Sequence, residues 1–119
     1  MAAAFDAEVL QVGELEIRPA EGLVLAAGRV VPMSVRELGV LSVLAGRAGR
    51  IVSRADLYEA VWRARLREGD RSIDVYVHKV RSKLEAALPD RCLIHTHVGF
   101  GYRLESDLSH TFHNQATGT

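Results

Sequence analysis

Apolar and polar residues alternate through residues 10–18, with Leu10, Val12, Leu15 and Ile17 as the apolar set and a one-residue slip at Gly13. A period of two reads as half-buried strand, and a slip at glycine reads as a turn or irregularity. Residues 22–27 follow Pro19, and residues 29–33 follow Gly28, so the opening third is predicted to be a small antiparallel meander with tight turns. The period then changes. Ser34-Val-Arg-Glu37 has the spacing of a capping box, in which hydroxyl and carboxylate each satisfy an orphan amide, and a helix should start there. Leu38, Leu41, Leu44, Ala45 and Ala48 keep the helical repeat as far as Gly49, a residue suited to a left-handed stop.

Residues 50–52 form a short extended link before Ser53, which can cap a second helix with Asp56 in its first turn, Leu57 and Val61 on its inner side, and an end near Trp62. Residues 63–70 have no period and read as a loop. A third helix follows, capped by Ser72 or Asp70, with Asp74 placed where the helix dipole favours an acid. Beyond Pro89 and Asp90, residues 93–98 and 102–104 are strand-like and join through Gly99-Phe-Gly101 as a hairpin. The domain is expected to span residues 10–105. Residues 1–9 and 106–119 are expected to be flexible, with Phe112 able to dock on the body.

The third helix carries most of the functional information. Turning 100° per residue from Ile73 brings Ile73, Val77, Val80 and Leu84 into one narrow arc, which should be buried. Val75, His78, Lys79 and Ser82 then occupy the far side, with Arg71, Tyr76, Arg81 and Lys83 as a flanking rim. Such a helix suits a groove with phosphate walls. Lys79 and His78 could donate to guanine edges, and Arg71, Arg81 and Lys83 are placed for phosphates. Val75 could meet a thymine methyl or a neighbouring helix, and both readings stay open.

Meander, three helices and hairpin, in that order, give an α+β fold: a winged helix-turn-helix with an N-terminal antiparallel sheet and a C-terminal β-hairpin wing. The length of 119 residues fits one domain. Hydrophobic content of 48% and charged content of 25% are those of an ordinary globular protein, and the longest apolar stretches fall short of the roughly 20 residues of a membrane helix. Asp6 and Glu8 stand where a signal peptide would be basic or apolar, and Cys92, the sole cysteine, closes no internal bridge, so a cytoplasmic location is expected.

The net charge is +0, yet it is unevenly spread. Five acids oppose Arg18 alone in residues 1–21, whereas seven bases oppose Glu68, Asp70 and Asp74 in residues 63–83. The second segment is a candidate surface for a polyanion. Enzyme chemistry finds no support: no nucleophile with a base, no paired carboxylates, and a Gly99-Phe-Gly101 turn lacking the further glycine and helix of a dinucleotide loop. In a regular strand His95 and His97 share a face and Cys92 takes the other, so only two metal ligands converge; His110 and His113 fall in the tail. No cofactor, metal or small-molecule substrate is implied.

Six segments carry a family resemblance: Met33-Ser-Val-Arg-Glu-Leu38, Gly49-Arg-Ile-Val-Ser-Arg-Ala-Asp-Leu57, Ala60-Val-Trp62, Ser72-Ile-Asp-Val75, Val80-Arg-Ser-Lys-Leu84 and Gly99-Phe-Gly-Tyr-Arg103. In order and spacing the chain, from about Val12 to Leu104, resembles the effector domain of OmpR/PhoB-type response regulators. The resemblance implies a transcription regulator that binds direct-repeat double-stranded DNA as a head-to-tail pair, with its third helix in the major groove and its wing at the minor groove. Helix geometry and the resemblance together make Trp62, Arg71, Ser72, Val75, Tyr76, His78, Lys79, Arg81, Ser82, Lys83, Thr96 and His97 the candidates for DNA contact. The indole of Trp62 would meet the DNA backbone, although a core role is equally open. It assigns contact with RNA polymerase to the 63–70 loop, chiefly Arg63, Arg65, Arg67 and Glu68, and implies control by a receiver domain.

Two positions depart from the family pattern. The wing commonly carries an arginine that enters the minor groove, and this chain has Val98 there, after Thr96 and His97. Tyr76 replaces a more usual histidine. The rival reading is a winged helix that contacts polymerase or a partner subunit through the 63–70 loop and the acidic N-terminal sheet, with little DNA binding of its own.

Overall fold

The computed structural model describes residues 9–108. The expectations for the chain ends and for Phe112 therefore lie outside the described residues, apart from one boundary treated below. Strands β1 (Leu10–Val12), β2 (Leu15–Arg18), β3 (Leu23–Ala26) and β4 (Arg29–Val30) form an antiparallel sheet in the order β1-β2-β3-β4. The slip at Gly13 is the β1–β2 turn, with Val12 paired to Leu15. Alternation sends Leu15 and Ile17 of β2 and Val24 and Ala26 of β3 inward, so this sheet covers one side of the core. The β4 strand stops at Val30 and does not reach Met33.

Helix α1 (Val35–Gly46) begins in the expected capping box: the Ser34 amide donates to Glu37 Oε1 at 2.7 Å, and the Glu37 amide donates to Ser34 Oγ at 3.2 Å. It ends before Ala48. Arg47 and Ala48 donate to the carbonyls of Leu44 and Ala45, three residues back, so the last turn tightens before Gly49 takes φ 83°. The buried side is Val40, Leu41, Leu44 and Ala45; Leu38 is only half-buried.

The link at 51–52 is a strand, β5 (Ile51–Val52). It pairs with β7 (Gly101–Leu108), which pairs with β6 (Arg91–His97), so the wing is a three-stranded sheet in the order β5-β7-β6. A Cβ on Gly101, whose φ is 140°, would collide with the Val52 carbonyl, which is how closely β7 approaches β5. β7 also continues past residue 105. Ser106 lies beside Gly13, where a Cβ would meet the serine at 2.5 Å, and pairing of Asp107 and Leu108 with Cys92 and Arg91 of β6 carries the strand through residues assigned above to a tail.

Helices α2 (Arg54–Trp62) and α3 (Ser72–Ala87) complete the core. Ser53 Oγ accepts from the Asp56 amide at 3.1 Å as a cap for α2. Neither predicted residue is the N-cap of α3 in position, which is Arg71, but Asp70 Oδ1 takes the Ser72 amide at 2.8 Å and so does the capping chemistry from one residue further out. The Ile73, Val77, Val80 and Leu84 seam is buried and fixes the rotation of α3 about its axis. At about 25 cal/mol per Å², such a seam contributes several kcal/mol, which no surface contact of α3 could override.

Candidate nucleic-acid interface

With the seam inward, Val75, His78, Lys79 and Ser82 face solvent. Val75 is 49% exposed, which leaves an apolar group standing on a polar face. Tyr76 is half-buried at the edge of this face. It meets the Trp62 ring edge-on, with centroids 5.5 Å apart, and the Lys79 ammonium lies 4.9 Å from its own ring centre. Trp62 in turn stacks on Tyr58 at 4.7 Å and 2°. The indole is therefore part of a half-buried aromatic ladder that joins α2 to α3, with one edge still open to solvent.

Arg36, which the sequence did not single out, caps that ladder. Its guanidinium sits 4.6 Å from the Trp62 ring centre and donates to the Val61 carbonyl at 3.2 Å. The ladder thus runs between two cations, Arg36 and Lys79, on one continuous surface. No periodicity links residue 36 to residue 62, so only the packing of α1 on α2 reveals the pair.

Several rim residues have internal partners. Lys83 turns toward the start of α1, donating to Glu37 Oε1 at 2.6 Å and to the Pro32 carbonyl at 2.9 Å. Glu37 is 5% exposed. Burial works to raise its carboxyl, but the hydrogen bonds from Lys83 and Ser34 outweigh that and hold it below the ordinary carboxylate range. Lys83 is thus a counter-ion to a buried acid rather than a free rim cation.

Arg81 and Thr96 are paired with one another: the guanidinium donates to Thr96 Oγ1 at 2.6 Å and to the Ile94 carbonyl at 3.3 Å. His97 accepts from Arg103 Nε at 3.0 Å, a bond an imidazole can accept only on an unprotonated nitrogen. Arg103 also bonds Glu105. Arg71 stays open, with its side chain 76% exposed and 3.4 Å from Asp74. Ser72 is half-buried in the first turn of α3.

Asp74 ties three elements together. It accepts from Arg54 of α2 through Nε and Nη2, both at 3.1 Å, and from the Tyr102 hydroxyl of β7 at 2.6 Å. Arg54 Nη2 also reaches the Asp70 carbonyl at 2.8 Å. Burial pushes the Asp74 carboxyl up, and the bonds from Tyr102 and Arg54 more than reverse this, so the group is held low. Burial and the Asp74 charge push the Tyr102 phenol up to about 12.

The 63–70 loop leaves Arg63, Arg65, Arg67 and Glu68 exposed beside a shallow concavity of about 620 Å³ lined by Tyr58, Leu66 and Asp70 among others. Arg63 holds a left-handed φ of 57° at the end of α2. At the other end of the molecule, the strand reading of Cys92 needs correction. A bulge between Cys92 and Ile94 breaks the alternation, and the Cys92 thiol comes within 3.8 Å of His95 Nδ1 instead of facing away. His95 Nε2 engages the Glu105 carbonyl at 3.0 Å and lies 3.2 Å from Asp107. Among the described residues no cluster of three or more His, Cys, Asp or Glu side chains is arranged to hold a metal ion, and no helix is long and apolar enough to cross a membrane.

Residues 28–104 match the family model described as "Transcriptional regulatory protein, C terminal". The chain belongs to this family. Its winged-helix fold and the resemblance to OmpR/PhoB-type effector domains stand with that assignment. Response regulator SaeR of Staphylococcus aureus is 33% identical over 98 residues, covering 82% of this chain and 43% of SaeR. The chain thus spans less than half the length of the curated relatives it matches.

Among solved structures of the fold, the DNA-binding domain of CpxR from E. coli superposes with a TM-score of 0.71 at 30% identity, covering 84% of this chain and 98% of that one. The Klebsiella pneumoniae RstA DNA-binding domain, solved in complex with the RstA box, gives a TM-score of 0.74 at 28% identity, covering 82% and 97%. As a transcriptional-regulator C-terminal domain, this chain departs from the family pattern at the wing position noted above, where Val98 is 87% exposed.

Proposed function

We propose that this chain is a sequence-specific double-stranded-DNA-binding transcription regulator of the response-regulator type, with α3 in the major groove and the β6–β7 hairpin at the minor groove. The observation that carries the reading is the rotation of α3: the buried seam leaves Val75, His78, Lys79 and Ser82 clear of the core, beside Arg71 and the Arg36–Trp62–Tyr76–Lys79 surface. Lys79 and His78 would read guanine edges, and Val75 would take a thymine methyl. Arg71, Arg36 and Trp62 would meet phosphate and hold register. Arg81, Thr96 and Lys83 would act by shaping the surface, given their internal bonds.

Binding as a head-to-tail pair on direct repeats, contact of Arg63, Arg65, Arg67 and Glu68 with RNA polymerase, and action in the cytoplasm extend the same reading. The test is selection of duplexes from a random pool, followed by anisotropy titration of selected and scrambled sites at two salt concentrations. A selected site that binds at least about a thousand-fold more tightly than scrambled DNA, with affinity falling as salt rises, supports the proposal. The overall charge of +0 and the internally bonded rim cations favour one rival, a protein-contact module. Absence of any enriched sequence, or binding indifferent to salt, would establish that rival over DNA recognition.

A further inference from the structure

The tip of the β6–β7 hairpin carries two apolar side chains that the protein leaves in water: Val98, 87% exposed, and Phe100, 72% exposed. The tip is rigid. The Phe100 amide donates to the His97 carbonyl at 2.8 Å, closing a four-residue turn, and Gly99 takes φ 83°, as such a turn requires. The root of the hairpin is fastened to α3 at two places, through Tyr102 to Asp74 and through Thr96 to Arg81, about 10 Å apart along the helix axis. The tip therefore projects at a fixed angle from the same body that presents Lys79 and Val75.

Among the described residues, no free cation stands at this tip. His97 is an acceptor for Arg103, and Arg103 is shared between His97 and Glu105. Among the described residues, this tip offers no unengaged cation with which to grip a minor groove. Apolar side chains on a protrusion have another use there: they wedge between base pairs, unstack one step and kink the duplex toward the major groove.

We propose that Phe100, supported by Val98, is an intercalating wedge that enters the minor groove at a single base step and bends the DNA. This rests on the DNA-binding reading above and adds a mode of contact to it. A flexible base step, such as pyrimidine–purine, is the expected site, because it unstacks most readily. A tip closed by its own hydrogen bond has less backbone freedom to lose on insertion than an open loop.

The experiment uses the whole chain and a selected duplex carrying 2-aminopurine, in turn, at each position beneath the wing, with a fluorophore pair at the duplex ends. The expected result is a fluorescence rise at one step on binding, and an end-to-end shortening that corresponds to a bend of roughly 20–90°. Phe100→Ser should lose both signals while keeping the salt dependence of binding, since no cation is removed; Phe100→Leu, still apolar, should keep both. The proposal is overturned if the wild-type chain binds the duplex with no fluorescence rise at any step, or if Phe100→Ser unstacks and bends it as the wild type does. It is equally overturned if the variant loses affinity only on two-site duplexes with unchanged fluorescence, which assigns the tip to a neighbouring protein copy. Failure of the wild type to bind any selected duplex strikes the DNA reading itself, a separate outcome.

Discussion

The Tyr102 hydroxyl donates a 2.6 Å hydrogen bond to Asp74, joining the strand that carries the wing to the first turn of α3. Because Arg54 forks onto the same carboxylate, one side chain sets the angle between helix, wing and α2. Tyr102→Phe removes one charged hydrogen bond and should cost about 1–3 kcal/mol of stability in urea unfolding. The same variant should remove a tyrosine that ionises near pH 12 in an absorbance titration. The raised phenol contributes stability below pH 10, and that stability is lost as pH rises from 10.0 toward 12. If the ionisation lost in the variant lies instead near the ordinary tyrosine value of 10.0, the phenol is not raised by burial and the Asp74 contact.

Glu37 and Asp74 are both held below their ordinary values, so each contributes stability above the usual carboxylate range of about 4, which disappears as pH falls through the lowered values. Unfolding followed from pH 6 downward should show a loss concentrated below about pH 4. Asp74→Asn should shrink that loss. A stability profile flat to pH 2 would mean that neither carboxylate is paired in solution.

Lys83 and Lys79 should separate cleanly. Lys83→Ala leaves the buried Glu37 carboxylate without its cation and should lower stability by about 1–3 kcal/mol with little change in the salt slope of DNA binding. Lys79→Ala should leave stability within about 0.5 kcal/mol and weaken binding to the selected site by roughly 1–3 kcal/mol. Equal loss for selected and scrambled DNA would move Lys79 from base reading to phosphate contact.

Thr96→Val keeps the charge of Arg81 but removes its side-chain partner on β6. If that bond orients the wing, affinity should fall for the selected site while the salt slope stays as it was. A flattened slope would mean instead that Arg81 itself neutralises a phosphate.

The β3–β4 turn contains Ala27 at φ 51° followed by Gly28 at φ 82°, a pair of left-handed residues joining strands that pair Ala26 with Arg29. Asparagine tolerates that conformation better than alanine. Ala27→Asn should stabilise the chain by about 0.5–1 kcal/mol in thermal or urea unfolding, and a measured loss would place the strain elsewhere.

What the chain reveals unaided is what depends on near neighbours. The Ser34–Glu37 capping box and the α3 seam are both present as read, because cap chemistry and helical period act within a few residues. Side chains whose partners are far away could not be read in this manner. Lys83 looked free because Glu37 is 46 positions off, and Arg36 looked ordinary until α1 packed on Trp62. Strict alternation puts Cys92 on the face opposite His95, and the bulge that brings them together leaves no sign in the residue pattern. Strand β7 runs past residue 105 because Cys92 and Arg91 of β6 pair with Asp107 and Leu108, a cross-strand partnership that the alternation of neither run reveals.

Gly101 sits where any side chain would strike the Val52 carbonyl, whereas Val98, Gly99 and Phe100 project into open water. Natural variation should accordingly be lopsided: position 101 is frozen and Gly99 is held by its left-handed φ of 83°, whereas Val98 and Phe100 can drift without endangering the fold. A lineage of such proteins can thereby change what its hairpin touches one substitution at a time, keeping the hinge that aims it.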